Sequence, residues 1–378
     1  MIEERERFDI ICLSHLKWEK ALFQRPQQLM RQFSRDSRVL FLAHCPLREF
    51  IRAILRGQLG EYIDAYNDNL RYITLPYFPL SRRFKICQNL SYRLTAFVAR
   101  NQAKRLGFQN IILWMYYPAF VEKLKKIPHN KLVYDCMDLF RGFKASSMDV
   151  QEQENKLLQK ADIVFTGGKS LQKSKEGINP RTYCFPSGVE YEHFFKATLD
   201  ETRVPDDIKK IPHPILGYFG AVDERIDYNL VNRICAKRPD WSVVFLGPLV
   251  MRSTVPVTHP NFHYLGKKDY AILPNYLKAF DVCLMPFVIS ELTLHISPTK
   301  TPEYLAGGKP VVSTAIPDVI AEYSDVVEIG RNHDEFILKA ENILHANQGD
   351  LHIKIRQKAE TKSWEYISEE MIRLIFEK

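Results

Sequence analysis

The sequence predicts an α/β protein of two domains, each built on a mostly parallel sheet with crossover helices. The length of 378 residues exceeds what one ordinary core supports and suits two domains of typical size. Short apolar runs alternate with longer amphipathic ones throughout, the pattern of strands joined by helical crossovers. The rhythm breaks once, at Phe185-Pro186-Ser187-Gly188-Val189, where a polar stretch with Pro205 and Pro212 leads into a second series.

Phe8–Ser14 is the first expected strand, buried on both faces. A helix follows over Gln27–Phe33, opened by Pro26, whose fixed φ suits a first helical turn. Further strands are expected at Arg38–Ala43, Arg71–Leu75, Asn110–Met115, Lys131–Cys136 and Ala161–Thr166. A long helix over Arg83–Leu106 ends at Gly107. The second series opens with Ile215–Phe219 and continues with strands at Ser242–Leu246, Phe262–Tyr264, Val282–Met285, Val311–Ser313 and Val326–Ile329. Its helices are expected at Tyr228–Arg238, Tyr270–Ala279, Thr299–Ala306 and Asp334–Leu344, with a last one over Ile353–Glu377. The domains are therefore expected at 1–205 and 206–355, with a terminal helix at 356–378 packing back on the first. Ligands of open α/β sheets sit at the carboxyl ends of strands, so two facing domains imply a cleft.

An apolar share of 46% with 26% charged residues is that of a globular chain rather than a disordered one. The uncharged run Ile111–Tyr117 is far shorter than the roughly 20 apolar residues of a membrane span. Residues 1–9 carry charges of both signs and no apolar secretion segment. The seven cysteines are scattered, without CxxC or ligand-like spacing, which points to reduced thiols, a cytoplasmic location and no metal site. The net charge of +8 is uneven: no acidic residue falls between Asp68 and Glu122, where eight arginines and lysines do, along with Tyr77, Phe78, Phe84, Tyr92 and Phe97. Residues 71–105 can thus lie on an anionic membrane surface, at the inner face of the plasma membrane, or form an ordinary solvated helix face. No nucleic-acid-binding module accompanies the charge, so nucleic acid is not an expected partner.

The most informative segment is Ser297–Val312. It reads as a loop, a short helix, a glycine stop and a buried strand. The helix start at Ser297, Pro298 and Thr299 presents unpaired N–H groups suited to phosphate, and Lys300 adds a charge. Glu303, one turn on, can accept hydrogen bonds from paired hydroxyls; a Lys–Glu pair at this spacing is also an ordinary surface pair. In the first domain His15 and Trp18 follow the first strand, where they can contact donor or acceptor. Arg25 can clamp an acidic acceptor or pair with a carboxylate. Asp138 is placed to take a proton as a catalytic base, while Asp135 braces the turn.

SPTKTPEYLAGGKPVVST (297–314) resembles the nucleotide-binding segment of retaining glycosyltransferases of the GT-B fold, in the large family 4-like group. Tyr264–Phe287, Phe185–Phe194 and Gly217–Val231 resemble, in order, the run into that loop, the exit from the first domain and the opening of the second. Trp18–Met30 and Tyr134–Phe143 resemble a narrower branch serving bacterial surface polysaccharides, teichuronic-acid-type transferases among them. The resemblance covers nearly the whole chain. It implies two Rossmann-like domains, an acceptor domain first and a nucleotide-sugar domain second. It also implies transfer of a hexose from a nucleotide diphosphate sugar, a UDP-sugar foremost, to a glycan or lipid-linked acceptor.

Position by position, the resemblance assigns Glu303 to the donor's ribose and Lys300 and Arg225 to the diphosphate; Asp223 and Glu224, beside Arg225, are read as orienting it rather than as catalysts. Gly220 begins the loop that approaches the phosphates, and Leu265 and Gly266 fall where backbone meets the nucleobase. Where many relatives carry a second glutamate this chain has His295, so the sugar hydroxyls fall to Glu291, Thr293 or His295. The cationic groups stand in for a metal ion, so neither a metal nor another cofactor is expected.

A nicotinamide dehydrogenase would need GxGxxG after the first strand; here the sequence is Ser14-His15-Leu16-Lys17-Trp18. A sugar-nucleotide epimerase of the same shape and a catalytically silent scaffold are the remaining alternatives.

Overall fold

A computed structural model describes residues 7–18, 23–78, 85–137, 148–250, 254–290, 293, 298–346 and 349–377. Asp138, Glu291, His295 and Ser297 lie outside the described residues, as do Arg82, Arg83 and Phe84.

The chain forms two compact units, residues 1–185 with 368–378, and 186–367. The first unit contains eight strands: β1 (Asp9–Leu13), β2 (Val39–Pro46), β3 (Ile63–Ala65), β4 (Leu70–Tyr77), β5 (Ile111–Met115), β6 (Lys131–Cys136), β7 (Ile163–Thr166) and β8 (Thr182–Cys184). They form one sheet in the order β3-β4-β2-β1-β5-β6-β7-β8. Every pairing is parallel except β3 with β4. β1 is wholly buried at its centre, which explains why it reads as an unbroken apolar run rather than an alternating one. Cys12 pairs in register with Phe41 on one side and Trp114 on the other.

The second unit holds β9 (Ile215–Phe219), β10 (Ser242–Leu246), β11 (Phe262–Tyr264), β12 (Val282–Met285), β13 (Val311–Thr314) and β14 (Val327–Gly330). Their order is β11-β10-β9-β12-β13-β14, all parallel. The order reverses at β9, so β9 and β12 diverge at a topological switch point, where open α/β sheets take their ligands.

The structure departs from the sequence reading at identifiable places. The division falls after Phe185 rather than near 205, because Val189, Phe194 and Ala197 are buried in the second core. Phe194 stacks on Phe219 at 5.8 Å. The expected single helix over Ile353–Glu377 is two, Gly349–Glu360 and Trp364–Phe376. The break arises because residues 362–364 hydrogen-bond the backbone of Val189 instead of continuing the helix. A helix at Leu47–Leu55 and the edge strand β3 were not anticipated.

Candidate functional site

At the carboxyl end of β9 the chain turns through Gly220, with φ +150°. A Cβ there would meet the Tyr218 hydroxyl at 2.7 Å and the Lys300 stem at 3.4 Å. After β10, Gly247 adopts φ +138°, and a Cβ on it would fall 1.7 Å from the Gly220 carbonyl oxygen. Only glycine fits both positions, and their absence of side chains lets two backbone segments and a lysine converge. Gly247 N–H donates to Gly266 O at 2.9 Å, Leu265 N–H donates to Phe245 O, and Tyr264 Oη donates to Gly247 O at 2.7 Å. Leu265 and Gly266 are thereby fixed beside Gly247, both half-buried.

Lys300 and Glu303 stand on the helix Lys300–Ala306, with Thr299 exposed at its start. The helix is anchored to β9 by Tyr304, fully buried, whose hydroxyl accepts from Phe219 N–H at 3.0 Å. Lys300 Nζ donates to Glu303 Oε2 at 2.9 Å and sits 5.3 Å from the centre of the Phe219 ring. Burial raises the Glu303 carboxyl above its ordinary range, with Lys300 opposing and Glu190 adding to the rise. A carboxyl so placed is poised to accept hydrogen bonds that replace lost water.

The Arg225 loop is held from two sides. Its carbonyl accepts from Val288 N–H at 2.8 Å, and Asp227 N–H donates to Pro286 O. Its guanidinium grips Asp223, with Nε 3.0 Å from each carboxylate oxygen and Nη2 2.6 Å from Oδ2. Burial alone would raise the Asp223 carboxyl, but the Arg225 hydrogen bonds outweigh it and hold it below the usual range. The pair stays ionised at neutral pH, and Arg225 keeps a face toward solvent. A cavity of about 500 Å³ lies beside this loop, lined by Asp227, Phe287, Thr314 and His333 among others.

Thr293 is fully buried. Its hydroxyl donates to Val288 O and accepts from Ser290 N–H. It closes a turn, so its hydroxyl is occupied rather than offered to a sugar.

In the first unit His15 follows β1, half-buried, 5.9 Å from the Tyr117 ring. Burial lowers its pKa, favouring the neutral imidazole. Trp18, read as an acceptor contact, is 3% exposed and packs among Phe23, Phe41, Tyr66 and Tyr72 with ring centres 5.2–5.8 Å away. It braces the sheet. Arg25 is buried too: Nε and Nη2 lie 2.9–3.1 Å from the Asp135 carboxylate, and Nη1 donates to Phe185 O at 2.6 Å. Of its two readings, pairing with a carboxylate is what the structure shows. Among the described residues no group of three or more His, Cys, Asp or Glu is placed to hold a metal ion.

Sequence reasoning missed Gly247 and Tyr304. A glycine directly after a strand, in Phe245-Leu246-Gly247-Pro248, was the available signal for the first. The Tyr304 contact spans 85 residues and leaves no local trace.

No family model matches the chain. It is 23% identical over 288 residues to the "Putative teichuronic acid biosynthesis glycosyltransferase TuaH" of Bacillus subtilis (strain 168), covering 69% of this chain and 70% of that protein. Among solved structures it resembles sucrose-phosphate synthase from Thermosynechococcus elongatus, with TM-score 0.65, 14% identity, and 97% and 98% of the two chains covered. It also resembles the UDP-forming α,α-trehalose-phosphate synthase from Burkholderia vietnamiensis, with TM-score 0.67, 12% identity, and 98% and 99% covered. The fold is thus the GT-B fold of two Rossmann-like domains, and these relatives by sequence and structure are glycosyltransferases.

Proposed function

We propose that this chain is a glycosyltransferase that moves a hexose from a nucleotide diphosphate sugar, foremost a UDP-sugar, to a hydroxyl of a surface-polysaccharide or lipid-linked glycan. The observation that carries the reading is the convergence of Gly220, Gly247, Lys300 and Glu303 at the carboxyl ends of β9 and β10. Lys300 and Arg225 stabilise the leaving diphosphate, and Glu303 holds the ribose hydroxyls. Fixed cations aimed at developing charge supply the stabilisation that a divalent ion supplies elsewhere. The UDP-sugar choice draws on the UDP-forming relative from Burkholderia vietnamiensis, and the acceptor class on the name of the Bacillus subtilis relative. In the first unit His15 is the described candidate for contact with the reacting groups, and Asp138 remains the proposed base.

Calorimetric titration with UDP, GDP, TDP and NAD tests this. One nucleoside diphosphate should bind selectively, and Lys300→Ala or Glu303→Ala should each weaken it about 10- to 100-fold, the worth of one hydrogen bond to a charged group. Binding of NAD alone, or affinity untouched by both substitutions, would sink the assignment.

The same reading places the chain at an anionic membrane. Along the helix Lys85–Arg105, the exposed residues Ile86, Leu90, Arg93, Phe97, Arg100 and Lys104 recur every three or four positions and so share one stripe. Ile86 is 75% and Phe97 54% exposed, whereas Tyr92 is buried and takes no part. Among the described residues no helix is long and apolar enough to cross a membrane, and this stripe suits lying on one. Arg93→Gln with Arg100→Gln should weaken flotation with anionic vesicles by roughly 30-fold, at about 1 kcal/mol per basic residue. Equal flotation of the variant, or equal flotation on zwitterionic vesicles, would count against it.

A further inference from the structure

A second cavity, of about 480 Å³, lies within the second unit at the far end of the helix that carries Lys300 and Glu303. Its rim is formed by the cations Lys278, Lys309 and Arg356 with His352 beside them, and an aromatic wall by Tyr191 and Phe195, stacked at 5.6 Å. The floor is the last turn of that helix. None of the described lining residues is acidic.

The two lysines are short of anionic partners. Lys309 Nζ donates to Lys278 O at 2.9 Å, and Lys278 Nζ donates to the carbonyls of Leu199 and Asp200. These are neutral acceptors, each at the end of a short helical segment. An ammonium carries three N–H donors, so hydrogen-bonding capacity remains on both. Among the described residues neither forms an ion pair. Of the nearby carboxylates, Asp281 is engaged by His213 and Ile215 N–H, while Glu360 pairs with Arg356 of the rim at 3.1 Å and leaves the two lysines unmatched. Burial lowers the Lys309 pKa and outweighs the opposing influence of Asp281, as for a cation that has lost more water than it has gained in counter-charge. The Arg356 guanidinium lies 5.5 Å from the Phe195 ring centre, closing the rim above the aromatic wall.

The geometry points to a binding site for a small phosphate monoester, its anion on Lys278 and Lys309 and its carbon body against Phe195 and the helix end. The volume falls in the range of small-ligand sites. The site shares no lining residue with the proposed donor site. It lies at the opposite end of the helix Lys300–Ala306, so the two can be separated by mutation.

Phenyl phosphate serves as the probe, with phenol and inorganic phosphate as its two halves, titrated calorimetrically against the full chain. Phenyl phosphate should bind saturably and more tightly than either half. Lys278→Met and Arg356→Ala should each weaken it at least about tenfold, the loss of one charge-assisted contact, and Lys300→Ala should leave it unchanged. Lys309→Met is paired with Lys309→Arg, which keeps the charge and should retain binding, so a folding defect is distinguished from loss of the anion contact. Absence of saturable binding, or binding that Lys300→Ala abolishes and Arg356→Ala does not, overturns the proposal. Phenol binding as tightly as phenyl phosphate overturns it as well.

Discussion

Arg25→Leu is expected to destabilise the first unit by about 3–5 kcal/mol, the cost of leaving one partner of a buried ion pair alone. Arg25 and Asp135 have side chains 2% and 0% exposed, so water cannot take over the contacts that are lost. Among the described residues no other cation pairs with the Asp135 carboxylate, so it would be left buried without a counter-charge. Phe185 O would lose its Arg25 donor as well. Arg25→Lys should recover little, because a single ammonium cannot reproduce a planar fork that serves a carboxylate and a carbonyl together. The double replacement Arg25→Leu with Asp135→Leu should recover much of the loss, since an apolar pair leaves no charge stranded. Two-unit chains need not unfold in one step. The measurement is therefore the urea midpoint followed by fluorescence with Trp241 and Trp364 replaced by Phe, so that the signal comes from Trp18 and Trp114, buried in the first unit. A shift worth less than about 1 kcal/mol for Arg25→Leu, the low end for ordinary hydrogen bonds, would show that the pair contributes nothing beyond them.

That pair shows where sequence reasoning stops. Arg25 and Asp135 lie 110 positions apart, and neither announces the other. Trp18 looked available for a ligand because it follows a strand, yet its partners come from four other segments, at Phe23, Phe41, Tyr66 and Tyr72. The strands were readable because burial on both faces writes an apolar run into the chain itself. β6, β9, β10 and β12 have the expected bounds, and so has β11, although it is only half-buried. The helix Leu47–Leu55 was not readable for the converse reason: Ile51, Ile54 and Leu55 are exposed and Ala53 is its buried residue, so its apolar positions do not mark a core face. In the second unit the legible parts were local, the Asp223–Arg225 turn and the one-turn spacing of Lys300 and Glu303. The approach of Gly220 to Gly247 depends on the neighbouring positions of β9 and β10 in the sheet, which no local spacing records.

Arg225→Gln is expected to lower kcat/KM for sugar transfer by about 10²–10³, if the guanidinium meets charge that develops on the leaving diphosphate. The geometry favours an effect on turnover over one on binding alone. Asp223 engages Nε and Nη2 of Arg225, and no hydrogen bond is formed by Nη1 among the described residues. The side chain is 36% exposed while Asp223 is 12% exposed. Asp223 thus fixes the direction of the fork and leaves one edge open. A preset cation of this kind costs no reorganisation when the bond to the diphosphate breaks, so its removal should appear mainly in kcat. Asp223→Asn is expected to give a smaller loss, because the amide still hydrogen-bonds the fork but no longer holds it with charge. Glutamine at 225 keeps length and some hydrogen bonding, and thermal melting of both variants separates misfolding from lost chemistry. A kcat within about threefold of the parent protein, less than 1 kcal/mol of barrier, would remove Arg225 from the reaction and leave its loop a structural turn.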